Sequence, residues 1–159
     1  MEEIQQIMDN LCLKIYPSLN EIQLMISKAT TILSKEPLLV ERKYPILIVG
    51  DIFGHFQDLK SIFEINGLPK DTNYLFLGNY VDKGHFSLFV FLYLLGLKII
   101  YPSHITLLRG AHETRSLNRL YGFSAECKDI YKTDQIWMTI SEVYQHLPIA
   151  GFIKDANVL

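Results

Sequence analysis

Apolar residues recur at helical spacing in the segment that follows Ser18. They lie three or four positions apart, which keeps side chains on one face of a helix, at Ile22, Met25, Ile26, Ala29, Ile32 and Leu33. Ser18 and Glu21 stand in the arrangement of a capping box, in which the two side chains accept from backbone N–H groups at the start of a helix. The pattern predicts an amphipathic helix over residues 19–34, within a helical N-terminal segment that spans 1–40.

Three short apolar runs after this segment predict buried strands. They are rich in branched and aromatic residues and read YPILIV at 44–49, NYLFL at 73–77 and HITLL at 104–108. Helix-length segments at 57–66 and 85–100 separate them, and Pro102 ends the second. The alternation of strands and helices predicts a parallel α/β layer that is covered on both faces.

Two more helices are predicted over 124–131 and 135–146, and Pro148 then opens the apolar run PIAGFI. The most apolar stretch, residues 86–101, is shorter than the ~20 residues of a membrane-spanning helix. It therefore predicts a buried helix, and the acidic N-terminus MEEIQQIMDN does not resemble a signal peptide. We expect a soluble protein without a membrane partner.

Composition narrows the class of protein without naming a function. Hydrophobic residues make up 49% of the 159 and charged residues 20%, a globular composition of single-domain length. The net charge of −2 offers no basic field for nucleic acid, and the densest basic cluster, ERK at 41–43, predicts a solvated turn. Cys12 and Cys127 are too few for a disulfide framework, so a reduced cytoplasmic or nuclear protein is expected.

Each of the three predicted strands runs into a glycine followed by polar residues. The first ends at Gly50-Asp51, the second at Gly78-Asn79, and the third at the sequence RGAHE, residues 109–113. In open parallel sheets, ligands bind beyond the carboxyl ends of the strands. A single such loop is more often a plain turn, but three of them at one edge predict a shared functional site.

The residues of these loops resemble known signatures. The sequences GDIFGHFQDL, YLFLGNYVDKG and LLRGAHE are similar to the motifs GDxHGQ, GDxVDRG and GNHE of the metal-dependent phosphoprotein phosphatase (PPP) family of serine/threonine phosphatases. The segments LYGFSAECKDIY and HLPIAGFI also resemble that family, so the likeness extends from Leu19 to Leu159. It implies the N-terminal portion, residues 41–159, of a calcineurin-like metallophosphoesterase sandwich of sheets flanked by helices.

The resemblance also implies a reaction. In the family two divalent cations, drawn from manganese, iron and zinc, share a bridging hydroxide that attacks phosphorus, while a histidine held by an aspartate protonates the leaving oxygen. In this chain Asp51 matches the first metal-binding aspartate and Asn79 stands at the bridging aspartate, where a neutral amide is a weak ligand. Phe53 and Ala111 replace a histidine and an asparagine ligand. The resemblance therefore implies no metal ion here, or one that is weakly bound.

Other parts of the family pattern are retained. Asp82 and His112 match the catalytic acid pair, and Lys83 replaces a phosphate-binding arginine, which keeps the charge but loses the two-pronged donor. Arg109, Gly110 and Glu113 match the surroundings of the third motif. His55 falls where the family has glutamine and is expected to point away from the metal site. His85, His104 and His146 are expected at the surface or at helix ends.

Three functions remain open on the sequence. The favoured one is a catalytically inactive phosphatase relative retained for binding protein partners, including phosphoproteins. The second is an active or residually active phosphatase that hydrolyses phosphoprotein monoesters. The third is a fragment without a function of its own, in which the inner face of the PIAGFI strand and the central sheet would be left uncovered.

Overall fold

The computed structural model describes residues 1–154. Its α-helices are Glu2–Cys12 (α1), Leu19–Leu33 (α2), Phe56–Asn66 (α3), Ser87–Ile100 (α4), Arg115–Tyr121 (α5), Phe123–Tyr131 (α6) and Gln135–Val143 (α7). Its strands are Leu39–Lys43 (β1), Leu47–Val49 (β2), Tyr74–Phe76 (β3), Ile105–Leu107 (β4) and Ala150–Lys154 (β5). A short 3₁₀ turn, Tyr144–His146, extends α7. Over the described residues, no helix is long and apolar enough to cross a membrane.

The central sheet is parallel and has the order β2-β3-β4, as the alternation of elements predicted. Leu75 of β3 lies opposite Ile48 of β2 and Thr106 of β4, so these three side chains share one face. The other face carries Tyr74 and Phe76, which pack against helix α3. The first strand is shorter than predicted, because residues 44–46 form a bend and only 47–49 pair.

The remaining two strands form a separate parallel pair, β1 with β5. Val40 of β1 lies opposite Gly151 of β5, and both approach Leu75 on the central sheet. Val40 and Leu75 are buried at this contact, but Gly151 is exposed and Ile48, on the same face of the central sheet, is 54% exposed. The face that was expected to be uncovered in a fragment is therefore covered only in part. Alternation along the strands puts Leu39 and Phe152 on the outer face, where each is more than half exposed.

The prediction of a solvated turn at 41–43 is wrong, because these residues form most of β1. Glu41 pairs with Lys154 at 2.5 Å, and Arg42 donates to Glu36 and to Thr106. A charged sequence forms a strand here because its inward side chains meet polar partners: Arg42 Nε lies 2.6 Å from Thr106 Oγ1 on the central sheet. The partner strand is over a hundred residues away, so no local pattern could indicate it.

The other predicted helices lie within a few residues of the observed ones. The capping box of α2 is present, with the Ser18 N–H donating to Glu21 at 2.6 Å and the Glu21 N–H donating to Ser18 at 3.3 Å. Helix α5 was not predicted, because seven residues are too few for a helical periodicity to show. Helices α1 and α2 of the 1–40 segment pack on α4, so they share the core of the rest of the molecule.

Helix α4 lies at the centre of this core and is buried around nearly its whole circumference, as its uninterrupted apolar sequence predicted. Its one charged residue, Lys98, is fully buried. The Lys98 ammonium donates to Glu36 at 2.8 Å and to the carbonyl oxygens of Pro102 and Ile105. Burial lowers the pKa of Lys98, and the Glu36 carboxylate acts in the opposite direction. These contacts connect the end of α2 to the segment that enters β4.

Candidate functional site

The loops after β2, β3 and β4 meet at one edge of the sheet, as predicted. The N–H groups of Ile52 and Phe53 both donate to the carbonyl oxygen of Asn79, at 3.1 and 2.9 Å. Gly78 has a φ of 103° and lies so close to the third loop that a Cβ atom there would come within 2.2 Å of the Gly110 nitrogen. Glycine is required at this position because two backbones touch.

Four non-glycine residues of these loops have a left-handed backbone. They are Phe53, Asn79, Asp82 and Lys83, with φ between 45° and 71°. Such residues cost about 1–3 kcal/mol each and persist where the surroundings impose them. The cross-loop hydrogen bonds supply that constraint. Phe53, Asn79 and Asp82 each contact His112, and Lys83 contacts the Phe53 ring.

Asp82 and His112 form the pair that the resemblance implied. Nδ1 of His112 lies 2.8 Å from Oδ2 of Asp82, and the aspartate side chain is fully buried. Because a carboxylate only accepts, Nδ1 is the donor and the proton-bearing nitrogen of the ring. The other aspartate oxygen accepts the N–H of Phe123 at 2.9 Å. The pair is therefore held in one orientation, with Nε2 left for chemistry.

Asn118 on α5 supports this pair, although no sequence pattern pointed to it. Its Nδ2 donates to Asp82 Oδ2 at 3.0 Å and to the His112 carbonyl at 2.7 Å. Its Oδ1 accepts from Trp137 and Tyr144 on and after helix α7. Asn118 thus connects the acid pair to two distant parts of the core, a role that arises only when three elements are packed together.

Glu113 fixes the geometry of the second and third loops. Its buried carboxylate accepts the backbone N–H groups of Asn79, Tyr80 and Gly110 at 2.7 to 2.9 Å. Burial raises the pKa of Glu113, while these three donors and His112 act in the opposite direction. Arg109 donates to the Glu113 carbonyl at 3.2 Å, so both residues serve to hold the loops as the resemblance suggested.

The amide of Asn79 lies between Asp51 and His112. Its Nδ2 donates to Asp51 Oδ1 at 2.9 Å, and its Oδ1 accepts the backbone N–H of His112 at 3.1 Å. The orientation of the amide is set by its neighbours, because a carboxylate accepts and an N–H donates. Both ends of the Asn79 side chain are thus bonded to protein groups.

Phe53 lies in contact with two of the other predicted site residues. Its ring meets that of His112 edge to face, with centroids 4.9 Å apart. The Lys83 ammonium lies 3.7 Å from the centre of the same ring, in a cation–π contact. Lys83 is an exposed residue, and the position that a histidine ligand would take holds an apolar ring instead.

Comparisons with known proteins agree with this geometry. The family model for calcineurin-like phosphoesterases matches residues 44–159. The chain belongs to the calcineurin-like phosphoesterase family. A solved serine/threonine phosphatase from Saccharomyces cerevisiae, described as similar to human phosphatase PP5, superposes with a TM-score of 0.87 at 34% identity. The alignment covers 96% of this chain and 51% of that protein, so this chain spans about half its length.

The resemblance to the PPP phosphatases is thereby confirmed, and the α/β sandwich architecture with it. Members of the calcineurin-like phosphoesterase family use divalent metal ions, so the donor set at the sheet edge matters. Among residues 1–154, no three His, Cys, Asp or Glu side chains come together in a way that could hold an ion. Asp51 is exposed, Asn79 has both ends bonded, and Ala111 has no ligand atom. This donor set does not suit a two-metal centre.

Apart from His55, the other histidines are placed as expected. Nδ1 of His55 lies 3.0 Å from the carbonyl oxygen of Ile52, and the expected direction of the ring away from the metal site stays a prediction. His85 is exposed, and His104 and His146 are half-buried, at the start of β4 and in the 3₁₀ turn. The roles of Asp51 and Asn79 as metal ligands and of Lys83 in substrate binding stay predictions, since they concern groups that bind from outside the chain.

Proposed function

We propose that this chain is a catalytically inactive relative of the serine/threonine phosphatases that acts by binding other proteins. The observation that carries the proposal is the amide of Asn79, which stands where the resemblance implies an aspartate bridging two cations. Its oxygen accepts from the His112 N–H and its nitrogen donates to Asp51, so the group that faces Asp51 is an NH₂, which does not bind a cation. A neutral amide would also add no charge to offset the repulsion between two dications.

The substitutions at Phe53 and Ala111 support the same conclusion. Neither side chain has an atom that binds a hard cation, and the Phe53 ring is already in contact with His112 and Lys83. A metal ion supplies the hydroxide nucleophile in this family of reactions. The Asp82–His112 pair can hold and transfer a proton, but a proton donor alone does not attack phosphorus.

The retained parts favour a binding role. The loops keep their shape through Glu113 and Asn118, whose hydrogen bonds do not depend on an ion. Lys83 keeps a positive charge at the edge of the site, which suits a phosphorylated protein partner. A fold maintained without its reactive centre is what a protein-interaction module requires, and a phosphoprotein is the partner that the remaining charge fits best.

Metal analysis combined with an activity assay tests this proposal. The purified chain is analysed for manganese, iron and zinc, and is assayed on phosphoserine and phosphothreonine peptides with added Mn²⁺. We expect well under one metal ion per chain and no hydrolysis above the protein-free control. A matched variant carrying Phe53→His, Asn79→Asp and Ala111→Asn restores three ligand positions and should bind Mn²⁺ more tightly than the natural chain.

A residually active phosphatase is the alternative, and the intact Asp82–His112 contact at 2.8 Å favours it. The same experiment separates the two. Stoichiometric metal in the natural chain, together with hydrolysis that His112→Gln abolishes, would establish the alternative and overturn our proposal.

A further inference from the structure

A cavity of about 230 Å³ lies beside Lys83, between the first turns of α3 and α4. It is lined by the His55–Asp58 segment, the Lys83–Phe86 segment, Gly54 and Lys14. A water molecule in liquid occupies about 30 Å³, so the space can hold a phosphate-sized group with its bound water. Asp51, Asn79 and His112 do not line this cavity, so it is distinct from the site of the acid pair.

Two lysine ammonium groups flank the cavity, and each is held over an aromatic ring. Lys14 Nζ lies 4.7 Å from the centre of the Phe86 ring, and Lys83 Nζ lies 3.7 Å from the centre of the Phe53 ring. Over residues 1–154, neither ammonium pairs with a carboxylate, whereas Lys70, Lys98, Lys128 and Lys154 all do. A cation–π contact positions an ammonium without neutralising it, so both charges remain available to an anion.

Two histidines extend this cationic lining. Nδ1 of His55 lies 3.0 Å from the carbonyl oxygen of Ile52 and donates to it, so Nε2 is the nitrogen left for a ligand and donates only when the ring carries a second proton. His85 is exposed and lies between Gly84 and Phe86 in the lining. A protonated imidazole donates to a phosphate oxygen as an ammonium does.

The backbone and the acidic residues around the cavity complete its electrostatics. Helix α3 begins at Phe56 without a side-chain cap, so its positive end adds to the field of the lysines. The first N–H groups of α4 are already bonded to Glu126, so they offer nothing to a ligand. In the described part of the chain, residues 1–154, Asp58 is the only carboxylate in the lining, and it opposes the two lysine ammonium groups.

We propose that this cavity binds the phosphate group of a monoester or of inorganic phosphate, using Lys14, Lys83, His55 and His85. The subsite needs no metal ion and does not depend on the protein being inactive, so it goes beyond the function proposed above. Lys83 is the residue that the two sites share.

Direct titration tests the subsite. Inorganic phosphate, a phosphoserine peptide and the same peptide without phosphate are each titrated into the natural chain by calorimetry, in EDTA so that no metal contributes. We expect saturable binding of phosphate with a Kd on the order of 1 mM, and no binding of the unphosphorylated peptide. Tighter binding of the phosphopeptide would identify a protein-borne phosphate as the ligand, and equal binding would identify the free anion.

Variants localise the binding. Lys14→Gln and His85→Gln should each weaken phosphate binding by about tenfold, as expected for the loss of one charged hydrogen bond. Lys28→Gln removes an exposed lysine from α2, outside the cavity, and should leave the Kd within twofold. Lys14 and His85 are exposed, so their loss should not alter the unfolding transition. The proposal is overturned if phosphate does not bind, or if the variant that carries both Lys14→Gln and His85→Gln binds it as tightly as the natural chain.

Discussion

Both ends of the Asn79 side chain are hydrogen-bonded to the protein. The NH₂ group donates to Asp51, and the oxygen accepts from the His112 N–H. With an aspartate there, two carboxylates would face each other across about 3 Å and would need a cation between them. The amide removes that need, because its NH₂ group donates where a cation would otherwise lie. Asp51 and Asn79 therefore form a hydrogen-bonded pair that needs no metal ion between them.

Replacing Asn79 with aspartate should destabilise the folded chain in the absence of metal. We expect a loss of about 1–2 kcal/mol at pH 7, because the donor to Asp51 disappears and a second negative charge is placed beside it. Urea unfolding in EDTA measures the change. Asn20→Asp, an exposed site in the first turn of α2, is the control and should change stability by less than about 0.5 kcal/mol.

An aspartate variant at Asn79 that is as stable as the natural chain in EDTA would contradict this account of the amide. Added Mn²⁺ provides a second measurement, because an ion that binds the folded chain raises its stability. The ion should stabilise Asn79→Asp more than it stabilises the natural chain. The comparison isolates residue 79, since both proteins contain Phe53 and Ala111.

The roles of some site residues were predicted from the sequence, and those of others were not. The Asp82–His112 pair was expected from the resemblance and is present at 2.8 Å. Asn118 was not, although it contacts both members of the pair. Its neighbours in the sequence carry no signal, because the partners that give Asn118 its role come from separate loops and helices.

Helices α2 and α4 differ in where their N-terminal caps come from. Helix α2 carries its own cap, Ser18 with Glu21, and a sequence motif predicted it. Helix α4 is capped by Glu126 of α6, which accepts the N–H groups of Ser87 and Leu88 at 3.2 and 2.8 Å. That cap exists only because α6 packs on α4. The first residue of α4 could therefore be predicted only approximately.

Glu126 should make stability depend on pH in a defined direction. Burial raises the pKa of Glu126 above its usual 4.5, with the backbone donors acting against that rise. Between the unfolded and folded pKa values the folded chain binds more protons, so raising the pH through this window costs stability. Glu126→Gln has no carboxyl that titrates at this position, so it does not lose stability in this way. The free energy of unfolding of the variant, relative to that of the natural chain, should therefore rise as pH increases from 4.5.

Unfolding free energies of both proteins at several pH values between 4.5 and 8 measure the effect. Lys128→Gln, which removes an exposed charge from the same helix, should leave the pH dependence over this range unchanged. A difference between Glu126→Gln and the natural chain that stays flat, or that falls as pH rises, would show that burial does not govern this carboxyl.

The sheet of β1 and β5 carries a group of neighbouring apolar side chains that are more than half exposed. Leu39 and Phe152 on its outer face are 56% and 54% exposed, and Leu38 and Ile149 beside it are 66% and 62% exposed. Within residues 1–154 each of the two strands pairs only with the other, which leaves open strand edges. Apolar surface next to an open edge favours association between chains.

We expect the natural chain to self-associate at high concentration through this face. Leu39→Thr combined with Phe152→Thr keeps residues that favour strands, removes apolar surface, and should shift the chain towards monomer without a large loss of stability. Sedimentation velocity over a range of concentrations measures the shift. Leu120→Gln changes an exposed leucine on α5 and is the control. Unchanged association in the double variant would place the contact elsewhere.

Elements whose signals are local could be predicted from the amino-acid sequence alone. Short apolar runs identified the central strands, and helical spacing, helix-length segments and a capping box identified most of the helices. Glycine-led loops identified the edge that carries the site. These signals need no information from distant residues, because they reflect how one segment presents its side chains. The resemblance of three short motifs added the family and the acid pair.

Three features depend on how distant segments pack: the pairing of β1 with β5, the cap of α4 by Glu126, and the hydrogen bonds of the Asn79 side chain. Each of these joins residues about thirty to over a hundred positions apart. Their free energy comes from groups that are satisfied by one another once water is excluded, and such contacts leave no repeating pattern in either segment. The resemblance to the PPP motifs therefore assigns Asn79 to a metal-binding position. In the folded chain the Asn79 amide is hydrogen-bonded to Asp51 and to the backbone N–H of His112.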